Sequence, residues 1–479
     1  MLFKSKSRLA RTGHALLLIL VGCSPVLAGP KAMAEPLSPT ELLTIMRESY
    51  PPLSIAREKV KQNQAKLLEK QGAFDTVIKS KAEWNALGYY QNLVLDTEIR
   101  QPTTLWGTEF FAGYRLGAGK FPDYYGGKET LSLGEWRVGA ETPLLQNGIV
   151  NPRLADLELL SLEIDRSELD IVEKQLKFAK TALKTYWNWR VLHQKEVVAE
   201  ELLMRARLKV SQLQTEVSVG KTAPIYVTEN QRSIYKRQQK LLDIQQDKQS
   251  TQLDLYLYLG PAAAVSTPAF SAPPLPPAPV CENLPSTGSV VQQSLKEAQK
   301  SRPEVLQLQL QQRQNDVARQ LAENFQWPAL DLYFELSQDL GEGSKTKEQT
   351  ELLGGVKFYY PPALRKAQGQ LLRIESIERA LNTELNFLSR EIAQEVNTLL
   401  LQRKISCEQV VLAQQEIEVA LKVAQAERDR FQLGSSTLFT VNLLEEAVAE
   451  ARLRYLDALK AYFVAESLYP ITLGLLPQS

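Results

Sequence analysis

Two long runs of apolar residues repeat with a period of seven, and this feature limits most strongly the folds that the chain can adopt. The first run places leucines seven residues apart from Leu162 to Leu183. The second run extends its apolar positions from Leu381 to Leu399. A sustained seven-residue period predicts helices that pack along a left-handed coiled-coil seam. Helices of about 65 residues are roughly 100 Å long, so the sequence predicts an elongated molecule.

Each long run stops at a glycine and resumes as a shorter helical run. The first break lies at Gly220, ahead of Pro224, and the second lies at Gly434, ahead of Ser436. A glycine just past a helix, followed by residues that start another helix, predicts a tight hairpin tip. The predicted long helices span about residues 150–219 and 364–433, and the predicted return helices span about residues 224–259 and 436–470.

The chain carries this arrangement twice, which predicts an internal duplication. The pairs Gly220 with Gly260 and Gly434 with Gly474 are both separated by 40 residues. A repeated interval of this kind is typical of repeated structural units. The sequence therefore predicts a signal peptide at residues 1–22, a first repeat at 23–260, a proline-rich linker at 261–288 and a second repeat at 289–474.

Between the helical runs of each half, apolar and polar residues alternate with a period of two. This pattern predicts strands with one apolar and one polar face. The strand regions cover about residues 78–142 and 329–360. The alternating stretches are residues 78–90, 106–116 and 136–140 in the first half, and residues 329–337 and 352–360 in the second half.

The strands are the only candidates for crossing a membrane, since no run after the N-terminus is apolar for long enough to cross as a helix. The chain enters and leaves each strand region from the helical side, so it must cross an even number of times. We therefore assign residues 106–116 to an extracellular hairpin or a strand extension and predict four strands per chain. Open strand edges are not stable in lipid, so three chains are expected to close a barrel of about twelve strands.

The N-terminus has the features of an export signal. Basic residues precede an apolar core at residues 15–21, which is too short for a transmembrane helix. Leu20-Val21-Gly22-Cys23 resembles the bacterial lipoprotein cleavage box, which predicts acylation of Cys23 and an outer-membrane lipid anchor. Ordinary cleavage after Ala28 or Ala34 is the alternative, because both positions follow small-x-small sequences.

Composition excludes several classes of function. The formal net charge is +1, so nothing favours a nucleic-acid partner. The sequence has no nucleophile elbow, phosphate loop or metal signature, so we predict neither an enzyme nor a cofactor or metal.

His193 lies inside a helical pattern and is interpreted as structural. Beyond Cys23, only Cys281 and Cys407 remain, and they are predicted either to form a disulfide that straps the linker to the second long helix or to stay as thiols.

Several motifs resemble those of the TolC-like outer-membrane factors of tripartite efflux pumps and type I secretion systems. They are Arg430-Phe431-x-x-Gly434 with Leu443-Leu444-Glu445, Ser301-Arg302-Pro303-Glu304, and Pro143-Leu144-Leu145. The resemblance covers nearly the whole mature chain. It implies a homotrimer with a barrel in the outer membrane, long antiparallel helices that form a periplasmic tunnel, and helical tips that dock on a periplasmic membrane-fusion adaptor joined to an inner-membrane transporter. The first tip departs from the pattern, because Glu216 stands where the second tip has Arg430.

The sequence thus predicts a trimeric conduit that exports small molecules or proteins to the exterior. The alternative is a non-conducting periplasmic adaptor or coiled-coil scaffold, although adaptors carry one helical hairpin and this chain carries two. Glu445 and Glu446 are candidates for an acidic ring that selects cations, and the alternative is that one or both are simply solvated. The residues expected to shape the tips or contact an adaptor are Gly220, Thr222, Pro224, Gly434, Ser436 and Leu438.

Overall fold

The two halves of the chain have the same order of helices in the computed structural model, which describes residues 36–88, 91–119, 130–260, 271–281, 287–343, 345 and 348–476. The first half contains α1 (Pro39–Ser49), α2 (Pro51–Gln71), α3 (Pro152–Ser218) and α4 (Ile225–Tyr258). The second half contains α5 (Thr287–Ser301), α6 (Pro303–Asn324), α7 (Arg365–Gln432) and α8 (Leu438–Thr472). The ends of the long and return helices lie within two residues of the bounds expected from the sequence.

The two long helices form the frame of the molecule. α3 has 67 residues and α7 has 68, so each is about 100 Å long. The return helices α4 and α8 pack against α3 and α7, respectively, on the side of the hairpin tips. α2 packs on α3 and α6 packs on α7 towards the other end, while α3 also contacts α6 and α8. The helices therefore form a row of four at each level, in the order α4, α3, α8, α7 near the tips and α2, α3, α6, α7 further away.

The largest hydrophobic core lies halfway along α3, where α1 and the ends of α4 and α8 meet it. Tyr186 and Trp189 of α3 are almost completely buried there, and Trp187 stacks on Phe463 of α8 with ring centroids 4.8 Å apart. Aromatic side chains bury a large apolar area at one point of an otherwise thin structure. Among the described residues, no helix is long and apolar enough to cross a membrane.

A glycine follows each return helix at the end that lies in the core. Gly260 and Gly474 have positive φ angles of 79° and 85°. A Cβ atom on Gly260 would lie 2.6 Å from the Ser49 hydroxyl, and one on Gly474 would lie 2.7 Å from the Ser301 carbonyl oxygen. Only glycine combines this backbone conformation with so close an approach. Both serines end a helix just before a proline begins the next, so the two halves repeat this packing.

A single antiparallel sheet lies at the end opposite the tips. Its strands are paired in sequence order. They are β1 (Val77–Asn85), β2 (Asn92–Pro102), β3 (Glu109–Gly119), β4 (Glu135–Pro143), β5 (Ala329–Asp339) and β6 (Glu351–Tyr359). β4 and β5 are neighbours although α3, α4, α5 and α6 separate them in sequence, so this pair joins the two halves of the chain.

The expectation of four strands is wrong, because the described sheet has six. The sequence interpretation extended β1 to residue 90, beyond its end at Asn85, and missed β2 altogether. It also assigned residues 106–116 to a hairpin or extension, whereas residues 109–119 form β3, paired along one side with β2 and along the other with β4. The requirement for an even number of strands still holds, since the first half contributes four and the second half two. The strand left out of the sequence interpretation is β2. Its alternation of Leu93, Leu95 and Ile99 with charged residues is visible in the sequence.

Candidate conduit wall and helical tips

The six strands have one face without any charged residue, which we call the apolar face. It consists of the even-numbered residues of β1, β3, β4, β5 and β6 and the odd-numbered residues of β2, which the strand register places side by side. Trp84, Phe334, Val356 and Phe358 are among its exposed side chains. A sheet with such a face needs an apolar environment or a partner to cover it.

All charged residues of the described strands lie on the opposite face, which we call the polar face. Several of them form ion pairs that cross from strand to strand. Arg137 of β4 lies 2.8 Å from Asp96 and 3.1 Å from Glu98 of β2, and its other terminal nitrogen lies 3.7 Å from Glu335 of β5. Arg153 in the first turn of α3 bonds to Glu109 of β3 at 2.7 Å, which ties the helix to the sheet. Ion pairs between strands thus stabilise the sheet on its polar face.

The two tips share one backbone geometry. Gly220 and Gly434 both have a φ of 75°, and a Cβ atom on either would meet nothing within 4 Å. The Gly220 amide donates to the Val217 carbonyl at 3.0 Å and the Lys221 amide donates to the Glu216 carbonyl at 2.9 Å. The second tip repeats both bonds with the same distances. These bonds define the Schellman motif, in which a left-handed glycine satisfies the last carbonyls of a helix.

Comparison with known proteins finds solved structures with the same fold. No protein-family model and no curated protein matches the sequence. Among solved structures, the outer-membrane channel OprN matches with a TM-score of 0.67 and 13% identity, covering 91% of this chain and 90% of that one. The Campylobacter jejuni CmeC outer membrane channel matches with a TM-score of 0.65 and 11% identity, covering 91% and 85%. The Neisseria gonorrhoeae MtrE outer membrane channel, in its open state, matches with a TM-score of 0.61 and 12% identity, covering 91% and 89%.

The chain has the TolC-like fold. In this TolC-like fold, the tip residues that the sequence singled out differ in exposure. Gly220, Pro224 and Gly434 are exposed, whereas Thr222 and Ser436 are partly buried. Leu438 is completely buried, so its side chain offers no surface to a partner and we remove it from the candidate contact residues. Hydrophobic spacing explains this, because Leu438 begins α8 and shares a helix face with the buried Val441.

The sequence interpretation missed a charge cluster around a buried carboxylate near the tips. Glu445 of α8 is only 7% exposed, so its carboxylate is not on the surface as a residue of an acidic ring would be. Its carboxylate lies 3.4 Å from Lys209 of α3, 3.6 Å from Arg237 of α4 and 3.8 Å from Arg428 of α7. This carboxylate of α8 therefore contacts the other three helices of the tip region. Glu446 instead pairs with the exposed Lys236 at 2.6 Å.

Burial affects the charges of this cluster. It lowers the pKa of the Lys209 ammonium and of the Arg237 guanidinium, and the nearby Glu445 carboxylate opposes both shifts. Three cations around one buried anion repel each other when the anion is removed. Helical spacing could have indicated this position, since Glu445 lies four residues from the buried Val441 and four from the buried Ala449.

The linker is fastened to both long helices. Arg190 of α3 stacks over Trp187 at 4.8 Å and donates to the Pro274 carbonyl oxygen. On the other side, Cys281 and the buried Cys407 of α7 form a disulfide with Cα atoms 5.8 Å apart. His193 packs edge to face on Trp189 at 5.2 Å, and burial, with the nearby Lys248, lowers its pKa. Cys23 and the predicted signal peptide lie outside the described residues.

Proposed function

We propose that this chain is one subunit of a homotrimeric conduit in an outer membrane. In this proposal the sheet contributes to a transmembrane barrel and the helices form a tunnel in the periplasm. The conduit serves a tripartite efflux pump or a type I secretion system and carries small molecules or proteins to the exterior. The fold shared with OprN, CmeC and MtrE supports this role.

The observation that carries the proposal is the division of the sheet into two faces. Six strands of 9 to 11 residues have the length that a tilted strand needs to cross a bilayer. A charge-free, exposed face suits lipid, and a charged face suits a water-filled interior. A periplasmic scaffold has no need of such a sheet, because water would contact its apolar face at a cost.

The helices support head-to-tail association of identical chains. α4 and α7 lie at opposite ends of the helical row, and both expose apolar side chains that no described helix covers. On α4 these are Ile225, Tyr235, Leu242, Leu253 and Leu257; on α7 they include Phe387, Leu401, Leu412 and Val419. Contact between α7 of one copy and α4 of the next uses two different surfaces, and such contacts form a ring when the rotation between copies closes. The TolC-like resemblance supports a ring of three.

The tips are the proposed docking surface for a periplasmic membrane-fusion adaptor joined to an inner-membrane transporter. Gly220, Thr222, Pro224, Gly434 and Ser436 remain the candidate contact residues after Leu438 is removed. Each glycine lacks a side chain, which lets a partner approach the backbone closely at that position. The neighbouring charges differ between the tips, so an adaptor that binds both must satisfy two surfaces.

A pair of arginine substitutions tests the lipid-facing assignment. Val356 lies on the apolar face of β6, and Leu353 lies on the polar face of the same strand, opposite Glu335. Val356→Arg places a charge in lipid at a cost of about 2–4 kcal/mol near the bilayer centre, whereas Leu353→Arg places it in water beside a carboxylate. We expect Val356→Arg alone to reduce the protein that resists alkaline extraction from membranes. Equal behaviour of both variants would contradict the proposal.

The lipid anchor is a separate part of the proposal. The Leu20-Val21-Gly22-Cys23 sequence supports acylation of Cys23, with palmitate among the attached acyl chains. Growth with labelled palmitate should label the protein, and Cys23→Ser should abolish the label. A mature protein that begins after Ala28 or Ala34 would exclude the anchor and leave the conduit proposal intact.

A further inference from the structure

The hairpin of β1 and β2 is an integral part of the sheet. β2 is paired with β3 over its whole length, from Asn92 to Pro102, and with β1 from Asn92 to Arg100. Arg137 of β4 reaches across β3 to Asp96 and Glu98 of β2. Ladder hydrogen bonds and buried ion pairs thus hold the hairpin to the rest of the sheet. The sheet ends at β1 on one side and at β6 on the other.

The hairpin has the same two faces as the other four strands. Ile78, Trp84, Leu93 and Ile99 lie on the apolar face, and their exposure ranges from 42% to 77%. The charged residues of β1, such as Lys79 and Lys81, lie on the polar face with the ion pairs of β2 to β5. A hairpin outside the membrane would expose these apolar side chains to water. Their alignment with the lipid-facing residues of β3 to β6 indicates the same environment.

The stagger of the strands also extends through the hairpin. A row of paired residues runs from Val77 at the helix end of β1 through the sheet to Leu353 in β6. Leu353 lies six residues before Tyr359, the helix end of β6. Six residues at about 3.3 Å each over five strand spacings of about 4.8 Å correspond to a tilt of about 40°. Closed barrels have strand tilts of about 35–45°.

We propose that β6 of one copy pairs with β1 of the next and that three copies close a barrel of eighteen strands, since each contributes six. This inference rests on the proposed function and specifies its membrane part. β1 leads away from the helices and β6 leads back to them, so the new pair is antiparallel like the others. Both edge strands have nine residues. The second copy satisfies the backbone groups that neither edge can leave open in lipid.

The larger number of strands changes the width of the pore. At a spacing of about 4.8 Å and a tilt of about 40°, eighteen strands form a barrel about 36 Å across, and twelve form one about 24 Å across. Four helices per copy give twelve helices in a trimer, and helices packed about 8–10 Å apart form a ring about 30–38 Å across. The eighteen-stranded barrel therefore continues the helical tunnel without narrowing.

Cysteine cross-linking tests the edge pairing. Val356→Cys is combined with Ser80→Cys or Ala82→Cys in β1, because both pairs share the apolar face and the same level of the barrel. Oxidation should join the copies into covalent dimers and trimers on a non-reducing gel. Val356→Cys combined with Ala112→Cys or Tyr114→Cys in β3 should give none, because β2 and β1 separate them from the neighbour. Val356→Cys alone is the matched control, because it shows any cross-link that the new cysteine forms with the native cysteines.

Counting strands in an electron cryomicroscopy map of the unsubstituted protein gives a second test that needs no variant. A conducting trimer with eighteen strands supports the inference. Cross-links from β6 to β3, a conducting trimer with twelve strands, or a dimer that closes twelve strands would overturn it and leave a conduit. A protein that forms no ring and never conducts would overturn the proposed function itself.

Discussion

The two hairpin tips have the same backbone and different side chains. At both tips a glycine with a φ of 75° ends a long helix, and the two Schellman bonds have matching lengths. At the first tip, the Glu216 carboxylate accepts a 2.9 Å hydrogen bond from Thr222. At the second tip, Arg430 donates to the Ser435 carbonyl at 3.3 Å. Equivalent helix ends thus carry opposite charges.

The starts of the return helices differ as well. Thr437 caps α8 by accepting a 3.3 Å hydrogen bond from the Thr440 amide. α4 starts after Pro224, whose side chain makes no capping bond. The difference teaches that glycine and helix length determine the shape of a tip, while capping and charge vary between copies of the same shape. A partner that recognises shape alone would bind both tips equally, and one that recognises charge would not.

The largest effect is expected at Glu445, which joins the two hairpins. Glu445→Ala leaves the buried Arg237 and the partly buried Lys209 and Arg428 around an empty position, and removing one partner of a buried ion pair costs about 3–5 kcal/mol. Hydrogen exchange should accelerate at both tips, in α4 as well as in α8. Glu446→Ala is the matched control, because it removes only the exposed pair with Lys236. Similar exchange in the two variants would contradict the coupling of the tips by Glu445.

Loss of the Cys281–Cys407 disulfide is expected to have the next largest effect, and this effect concerns only the second long helix. Cys407→Ser removes a bond that closes a loop of 126 residues, and loss of a native disulfide costs about 2–4 kcal/mol. We expect faster exchange along α7 near residue 407 and little change in α3, where Arg190 also holds the linker. The unreduced wild-type protein should have the same mass with and without thiol alkylation. Added mass would show that Cys281 and Cys407 are free.

The glycines test whether the two tips are equivalent. Gly220→Ala and Gly434→Ala place a Cβ in open space but hold alanine in the left-handed region, which costs about 1–2 kcal/mol. Because both glycines have the same φ, the two variants should destabilise their own tips by the same amount. Exchange of the amides at residues 217–221 and 431–435 measures this. Clearly unequal effects would show that side chains, not the backbone, determine the stability of the tips.

Substitutions at the starts of the return helices are expected to have the smallest effect, and this effect should differ between the two tips. Thr437→Ala removes a helix-capping bond and should cost about 1 kcal/mol at the start of α8. Thr222→Ala removes only a bond to the Glu216 side chain and should change exchange in α4 by less. Equal losses would mean that Thr437 does not act as a cap.

Local features were predictable, and contacts between distant segments were not. The seven-residue period and the glycines at 220 and 434 defined the long helices and tips, because both signals depend on neighbouring residues. The alternation in β2 was present as well, yet the strand before it was predicted to continue to residue 90, five residues beyond the end of β1. Helical spacing in α8 could have indicated that Glu445 is buried, but it could not identify the partner Lys209, which lies 236 positions away in the other half. The internal duplication, the homotrimer and the adaptor stay predictions.

Conductance in a planar lipid bilayer tests the conduit most directly. The purified protein, isolated as a trimer, should insert and give discrete current steps of uniform size. Val356→Arg should give far fewer insertions, and Leu353→Arg should insert as the wild-type protein does. A trimer that integrates into membranes yet never conducts, even with its adaptor present, would contradict the account and favour a scaffold.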